Sequence, residues 1–170
     1  MSKPNALVKV SGDLLDNLEL VDWIKVLTKE YAVTVLTGGG KQINNHFKQC
    51  RGHVVTIGPL GRETNTLRDQ QAARDILEEN RIIFQDYFDR TGLTVRTVIP
   101  VLFVNGIICH VNGDLYALFA YNGFKKVFIT TLPERVKGKE KYFAALAQSL
   151  GNGPLKKLEI KGFALGAARV

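Results

Sequence analysis

Short apolar runs alternate along the chain with longer stretches in which apolar residues recur every three or four positions. Ala6-Leu7-Val8-Lys9-Val10 is valine-rich and stops at Ser11-Gly12-Asp13, which predicts a first strand closed by a turn. Over residues 16–31, Leu20, Trp23, Ile24 and Leu27 fall at helical spacing. Residues 32–36 predict a second buried strand, which runs into Thr37-Gly38-Gly39-Gly40-Lys41, and a helix through Ile43 and Phe47 follows. Val54-Val55-Thr56-Ile57 predicts a third strand, closed by the turn Gly58-Pro59-Leu60-Gly61. A long amphipathic helix is predicted over residues 66–90, carrying Leu67, Ile76, Leu77, Ile83, Phe84 and Phe88, with Gly92 as its stop. Residues 95–100 predict a strand. The runs 101–104 and 107–109 flank Asn105-Gly106, a strong hairpin signal. A short helix over 114–122, a strand over 126–130, a helix over 139–150 and a last strand over 158–160 complete the pattern.

Strands alternating with helices, without a linker or an internal repeat, predict one domain over residues 1–170. Its expected class is α/β, a three-layer α/β/α sandwich around a mainly parallel sheet. Ligands of such sheets bind beyond the carboxyl ends of the strands.

Composition narrows the picture. With 45% hydrophobic and 23% charged residues the chain is expected to fold rather than stay disordered. The residues after Met1 lead into no apolar signal segment, and no apolar run reaches the roughly 18 residues that span a bilayer. Cys50 and Cys109 are too few for a disulfide framework, so the expectation is a cytoplasmic protein with reduced thiols. His46, Cys50, His53, Cys109 and His110 lack structural-zinc spacing, and no metal site is expected of them. The net charge of +7 suits an anionic partner. Its carriers are dispersed except at 137–141 and 156–161, and each of those clusters holds a glutamate. No nucleic-acid-binding signature is present, so a small anion is preferred to a nucleic acid.

Three positions stand out chemically. Gly38-Gly39-Gly40 after a strand and before a helix allows close backbone approach, so that N–H groups converge on an anion. The loop matches neither the P-loop nor the dinucleotide fingerprint. Lys9 interrupts an apolar strand and must snorkel, pair or face a site at the strand end. Asn112-Gly113-Asp114 opens a helix, for which an ordinary N-cap is a sufficient account.

In order along the chain, Val8-Lys9-Val10-Ser11-Gly12, Gly38-Gly39-Gly40, His110-Val111-Asn112-Gly113-Asp114-Leu115-Tyr116-Ala117 and Ile129-Thr130-Thr131-Leu132-Pro133 resemble the amino acid kinase superfamily. Lys137-Gly138-Lys139-Glu140-Lys141 followed by Ala144-Ala145, and the closing Leu158-Glu159-Ile160, are similar to that family's later helix and strand. The resemblance implies an ATP-dependent phosphotransferase with Mg²⁺ that phosphorylates a small anionic metabolite on a carboxylate or phosphate. Lys9, Asp114 and Lys141 would be catalytic: Lys9 on the transferring phosphoryl group, Lys141 on the nucleotide side, and Asp114 holding the lysines. Ser11, Gly12, Gly38, Gly39, Gly40, Thr130 and Thr131 would bind the nucleotide phosphates. Gly39, Gly40, Lys41, Arg62, His110 and Asn112 would bind the acceptor, although a turn before a solvated helix accounts equally well for Arg62. Members of the family self-associate, and the helix over 66–90 offers an apolar face, so a homodimer is expected.

The chain departs from the family in its nucleotide half. Few residues lie between Pro133 and Lys141, where the family holds adenine and ribose. Thr131 stands at a usual aspartate, and His110 at a usual asparagine. The alternative reading is therefore an inactive kinase-fold protein that binds a small anion or serves as a regulatory or assembly module.

Overall fold

Period-two alternation in buried strands gives one sheet two apolar surfaces, and both need covering. The computed structural model, which describes residues 2–52, 55–58, 60–64, 66–151 and 153–165, shows both surfaces covered by helices. In chain order the elements are β1 (Asn5–Val10), α1 (Leu18–Leu27), β2 (Ala32–Thr37), α2 (Gly40–His46), β3 (Ile57–Gly58), β4 (Gly61–Arg62) and α3 (Leu67–Arg90). There follow β5 (Val95–Val98), β6 (Val101–Val104), β7 (Ile107–His110), α4 (Gly113–Phe119), β8 (Lys126–Thr131), α5 (Val136–Leu150) and β9 (Leu158–Gly162).

Five strands make one sheet in the order β5-β2-β1-β8-β9, with every pairing parallel. On one face Ala6, Val8 and Val10 of β1, Val33 and Val35 of β2 and Phe128 of β8 pack against Leu20 and Ile24 of α1 and Phe84 and Phe88 of α3. Trp23 closes that layer edge-on to Phe128, with ring centroids 5.2 Å apart. On the other face Leu7, Leu36, Val127 and Ile129 pack against Leu115 and Leu118 of α4 and Phe143 of α5. Each such side chain stabilises the fold by roughly 1.5–3 kcal/mol when fully buried. A third cluster of Ile43, Phe47, Ala73, Leu77, Ile99, Val101 and Ile108 ties α2 and the β6–β7 hairpin to α3.

Side-chain caps set three helix starts. Asn17 accepts from the Leu20 N–H at 2.8 Å, Thr66 from Asp69 at 3.1 Å and Asn112 from Asp114 at 2.8 Å. The hairpin turns on Asn105 (φ 49°) and Gly106 (φ 81°), the backbone that the Asn-Gly pair favours.

Two predicted elements differ. Of the run at 54–57, the described residues 55–57 do not join the sheet: Ile57–Gly58 is a short strand that pairs antiparallel with Gly61–Arg62. A short β-branched run specifies extended backbone but not its partner, and the sheet's third strand is instead β5, delivered by α3. His53, Val54, Pro59 and Asn152, placed by the sequence pattern in candidate ligands, a strand and turns, lie outside the described residues. The helix predicted from 139 begins at Val136, on a 3-10 turn over Pro133–Arg135. Pro133 pre-sets the backbone for that start, upstream of Gly138.

Strand order reverses beside β1, with β2 and β5 on one side and β8 and β9 on the other. Two connections leave in opposite directions there and open a crevice at the carboxyl ends. Among the described residues no helix is long and apolar enough to cross a membrane.

Candidate functional site

Lys9 is the next-to-last residue of β1, in register with Leu36 and Ile129 of the neighbouring strands. Both partners belong to the α4–α5 side of the core, so Lys9 is a buried ammonium on an apolar surface. Its Nζ lies 3.2 Å from Oδ1 of Asp114, and Lys139 Nζ donates to Oδ2 of the same carboxylate. Asp114, only 3% exposed, thus bridges two lysines from separate elements. Burial alone would push its carboxyl up, but Lys9 and Lys139 outweigh that and hold it below the ordinary carboxylate range. Burial lowers the Lys9 pKa, Asp114 opposes that shift, and the charge of Lys139 reinforces it.

These groups line a cavity of about 650 Å³ at the strand-order reversal. Its wall carries five cationic side chains, Lys9, Lys41, Arg62, Arg135 and Lys139, against two carboxylates, Asp13 and Asp114. Asp114 is held by two lysines, and Asp13 by Arg135 at 2.7 Å. The surplus of positive charge favours an anionic occupant.

The floor is glycine backbone. A Cβ at Gly38 would stand 2.7 Å from the Val10 carbonyl oxygen and 3.1 Å from the Gly12 nitrogen. One at Gly39 would meet Leu77 at 2.8 Å and Asn80 at 2.9 Å, and one at Gly40 would meet the Arg62 guanidinium at 2.7 Å. Each of the three glycines therefore has a packing reason of its own. Gly39 and Gly40 carry no hydrogen bond on their N–H among the described residues and line the cavity.

At the far wall Arg62 donates from Nη2 to the Gly40 carbonyl and from Nε to Asn44, both at 2.9 Å. It clamps the first turn of α2 while lining the cavity. His110, beside it on β7, has a buried Nδ1 with no hydrogen-bond partner among the described residues. Burial first, and Arg62 second, lower its pKa to about 4, so it is neutral at pH 7. Asn112 lines the cavity, with its oxygen engaged in capping α4.

The structure brings Lys9, Ser11, Gly12, Gly38, Gly39, Gly40, Lys41, Arg62, His110, Asn112 and Asp114 to one cavity. Lys141, Thr130 and Thr131 stand outside its wall. Lys141 is exposed on α5, and Lys139 occupies the place expected of it. Residues two positions apart on a helix, such as Lys139 and Lys141, point about 200° apart, so only one of the pair faces the core. Tyr142, half-buried beside Lys139, confirms which face that is. Thr130 is fully buried, and its hydroxyl donates to the Lys9 carbonyl at 3.1 Å, bracing β1 from beneath. Lys139, Arg135, Asp13 and Asn80 were not expected from the sequence. Earlier entry into α5, through Pro133, is the signal that points to Lys139 and Arg135.

Among the described residues no three His, Cys, Asp or Glu side chains converge as a metal site. The phosphate-binding parts of a nucleotide fit Lys9, Lys139 and the glycine backbone. For a base the fit is poor, because only Leu132 and the turn Pro133–Arg135 separate β8 from α5. No protein-family model matches the sequence, and no curated protein matches it significantly.

Proposed function

We propose that the protein is a small phosphotransferase of the amino acid kinase type, moving a phosphoryl group from ATP to a carboxylate or phosphate of a small anionic metabolite. The observation that carries this reading is the Lys9–Asp114–Lys139 bridge at the strand-order reversal, which shares one cavity with Gly39 and Gly40, whose amides have no hydrogen-bond partner among the described residues. Phosphoryl transfer asks a protein mainly for positioning and for positive charge where negative charge spreads. ATP with Mg²⁺, when bound, supplies the phosphoryl group. Lys9 and Lys139 neutralise its oxygens, Asp114 fixes both ammonium groups, and the Gly39 and Gly40 amides hold a phosphate against them. Arg62 and neutral His110 form the wall on which the acceptor rests, with Lys41 at its rim.

One observation favours a second reading, binding of a small anion without transfer. The short β8–α5 connection leaves little chain to grip adenine and ribose, and donor positioning supplies much of the rate in such reactions. Calorimetry with inorganic pyrophosphate and with MgATP separates the two. The kinase reading expects both to bind and to compete, with binding and any turnover lost in Lys9→Ala and Asp114→Ala. Pyrophosphate binding without ATP binding selects the second reading. If neither anion binds, both readings fail.

A further inference from the structure

The buried stripe of α3 runs through Ala73, Leu77, Asn80, Phe84 and Phe88, the spacing of one helix face. Asn80 is its only polar member, 7% exposed in a row of apolar side chains. Its Nδ2 donates to the Gly38 carbonyl at 3.1 Å. No cis peptide occurs among the described residues, so the Gly38–Gly39 peptide is trans, and its C=O and N–H point in opposite directions. Holding the carbonyl on α3 therefore turns the Gly39 N–H away from α3, where it has no partner among the described residues.

A second loop of the same cavity is gripped in the same way. Gln42 Nε2 donates to the Gly12 carbonyl at 2.9 Å, which sets the direction of the next N–H, that of Asp13. Both loops thus have a glycine carbonyl taken up by a side-chain amide behind the cavity wall. A leucine at position 80 would extend the apolar stripe but leave the Gly38 carbonyl without that donor, free to rotate.

We propose that Asn80 is a positioning residue of the anion site: by holding the Gly38 carbonyl it keeps the Gly39 N–H turned toward the oxyanion that Lys9 and Lys139 attract. The inference rests on the reading of the cavity as an anion site. It assigns to α3, which supplies no charged group to the cavity wall, the preorganisation of that site's backbone donor.

The test uses the full-length chain, ¹⁵N-labelled, with inorganic pyrophosphate as the probe. In the wild type, pyrophosphate is expected to shift the Gly39 amide resonance, and that amide to exchange rapidly with solvent when no anion is present. Asn80→Asp keeps the size of the side chain but replaces the donor with an acceptor, which repels the Gly38 carbonyl and attracts the Gly39 N–H. The expected result is at least tenfold weaker pyrophosphate binding, together with slower exchange of the Gly39 amide. Asn80→Leu, which fills the same stripe, is expected to fold and to bind at least fivefold more weakly; it keeps the test decisive if the aspartate variant does not fold. Wild-type affinity in Asn80→Leu, or a Gly39 amide that does not respond to pyrophosphate, overturns the proposal while the anion site stands. A wild-type protein that does not bind pyrophosphate overturns the anion site, and this role of Asn80 with it.

Discussion

Asp114 holds two ammonium groups in a place where neither alone is well solvated, and the asymmetry of that arrangement can be measured. Removing its charge in Asp114→Asn leaves Lys9 buried and facing Lys139, with only Asp13, itself paired with Arg135, to offset them, and breaking a buried pair in that way costs about 3–5 kcal/mol. Lys9→Met removes a buried charge, fills similar space and leaves Asp114 paired with Lys139. Urea unfolding at pH 7 is therefore expected to show a clearly larger loss for Asp114→Asn than for Lys9→Met; equal losses would mean that the bridge is not the unit described. His110 supplies a pH signature. Its folded pKa of about 4 lies below the ordinary 6.5, so the unfolded chain binds more protons between those values. Stability should then fall as pH drops from 6.5 toward 4, by up to about 3 kcal/mol, and stay level above that window. His110→Asn is expected to flatten this slope in urea titrations at pH 4.5 and 7. From the sequence Lys9 was legible, because a lysine inside an apolar strand breaks a pattern; Asp114 was not legible from its position, since an acid in a helix's first turn is ordinary, and only the resemblance singled it out. Lys139 was not legible either, since choosing between two lysines two positions apart requires the helix phase. Asn80 broke a pattern as well, in an apolar stripe that the sequence reading did not follow through residue 80.

Within elements, the glycines divide into those that the fold cannot replace and those that it can. Gly38 sits where β2 leaves the sheet, and a Cβ there would press on the Val10 carbonyl and the Gly12 amide, which are backbone groups that cannot swing aside. Gly38→Ala is expected to cost about 1–3 kcal/mol, the range for overpacking a closed site. Gly138 lies in the first turn of α5, and a Cβ there meets nothing within 4 Å. Gly138→Ala should raise stability by up to about 1 kcal/mol through helix propensity. Thermal unfolding of the two variants reads both signs in one experiment; a destabilised Gly138→Ala would mean that the α5 start is wrongly placed. Helices and strands with strong periodicity were legible: α3, the hairpin and the five strands of the parallel sheet fall close to their expected ranges. The run at 54–57 was not, because its β-branched composition says nothing about which edge it meets. The three glycines in a row were legible as a site of close approach. That the approach is of β1's loop, α3 and Arg62, as well as of a ligand, depends on tertiary contacts far apart in sequence.

For the molecule as a whole, a mainly parallel sheet between helices was legible from alternation, but the number of its strands and their order were not, because periodicity carries no information about neighbours. The order matters for function: by reversing beside β1 it places Lys9, the glycine loops, α4 and the start of α5 around one crevice. Part of the chain's net charge of +7 acquires a location there, since five cationic side chains line the cavity against two carboxylates. The pairs inside it differ in their exposure to salt. Lys9 and Asp114 are sheltered, whereas Lys41 is exposed where it lines the cavity. Screening lengths shrink from about 10 Å at 0.1 M salt to about 3 Å at 1 M, so rim charges should lose their pull first. Pyrophosphate affinity is accordingly expected to fall as NaCl is raised from 0.05 to 0.5 M. Lys41→Gln should weaken binding at low salt and bring it close to wild type at high salt, while Lys9→Met should remain weak throughout. A Lys41→Gln defect of equal size at both salt concentrations would place that side chain in direct contact with the anion. It would then count as part of the inner cluster with Lys9 and Lys139, and the crevice would be read as gripping its ligand from both walls.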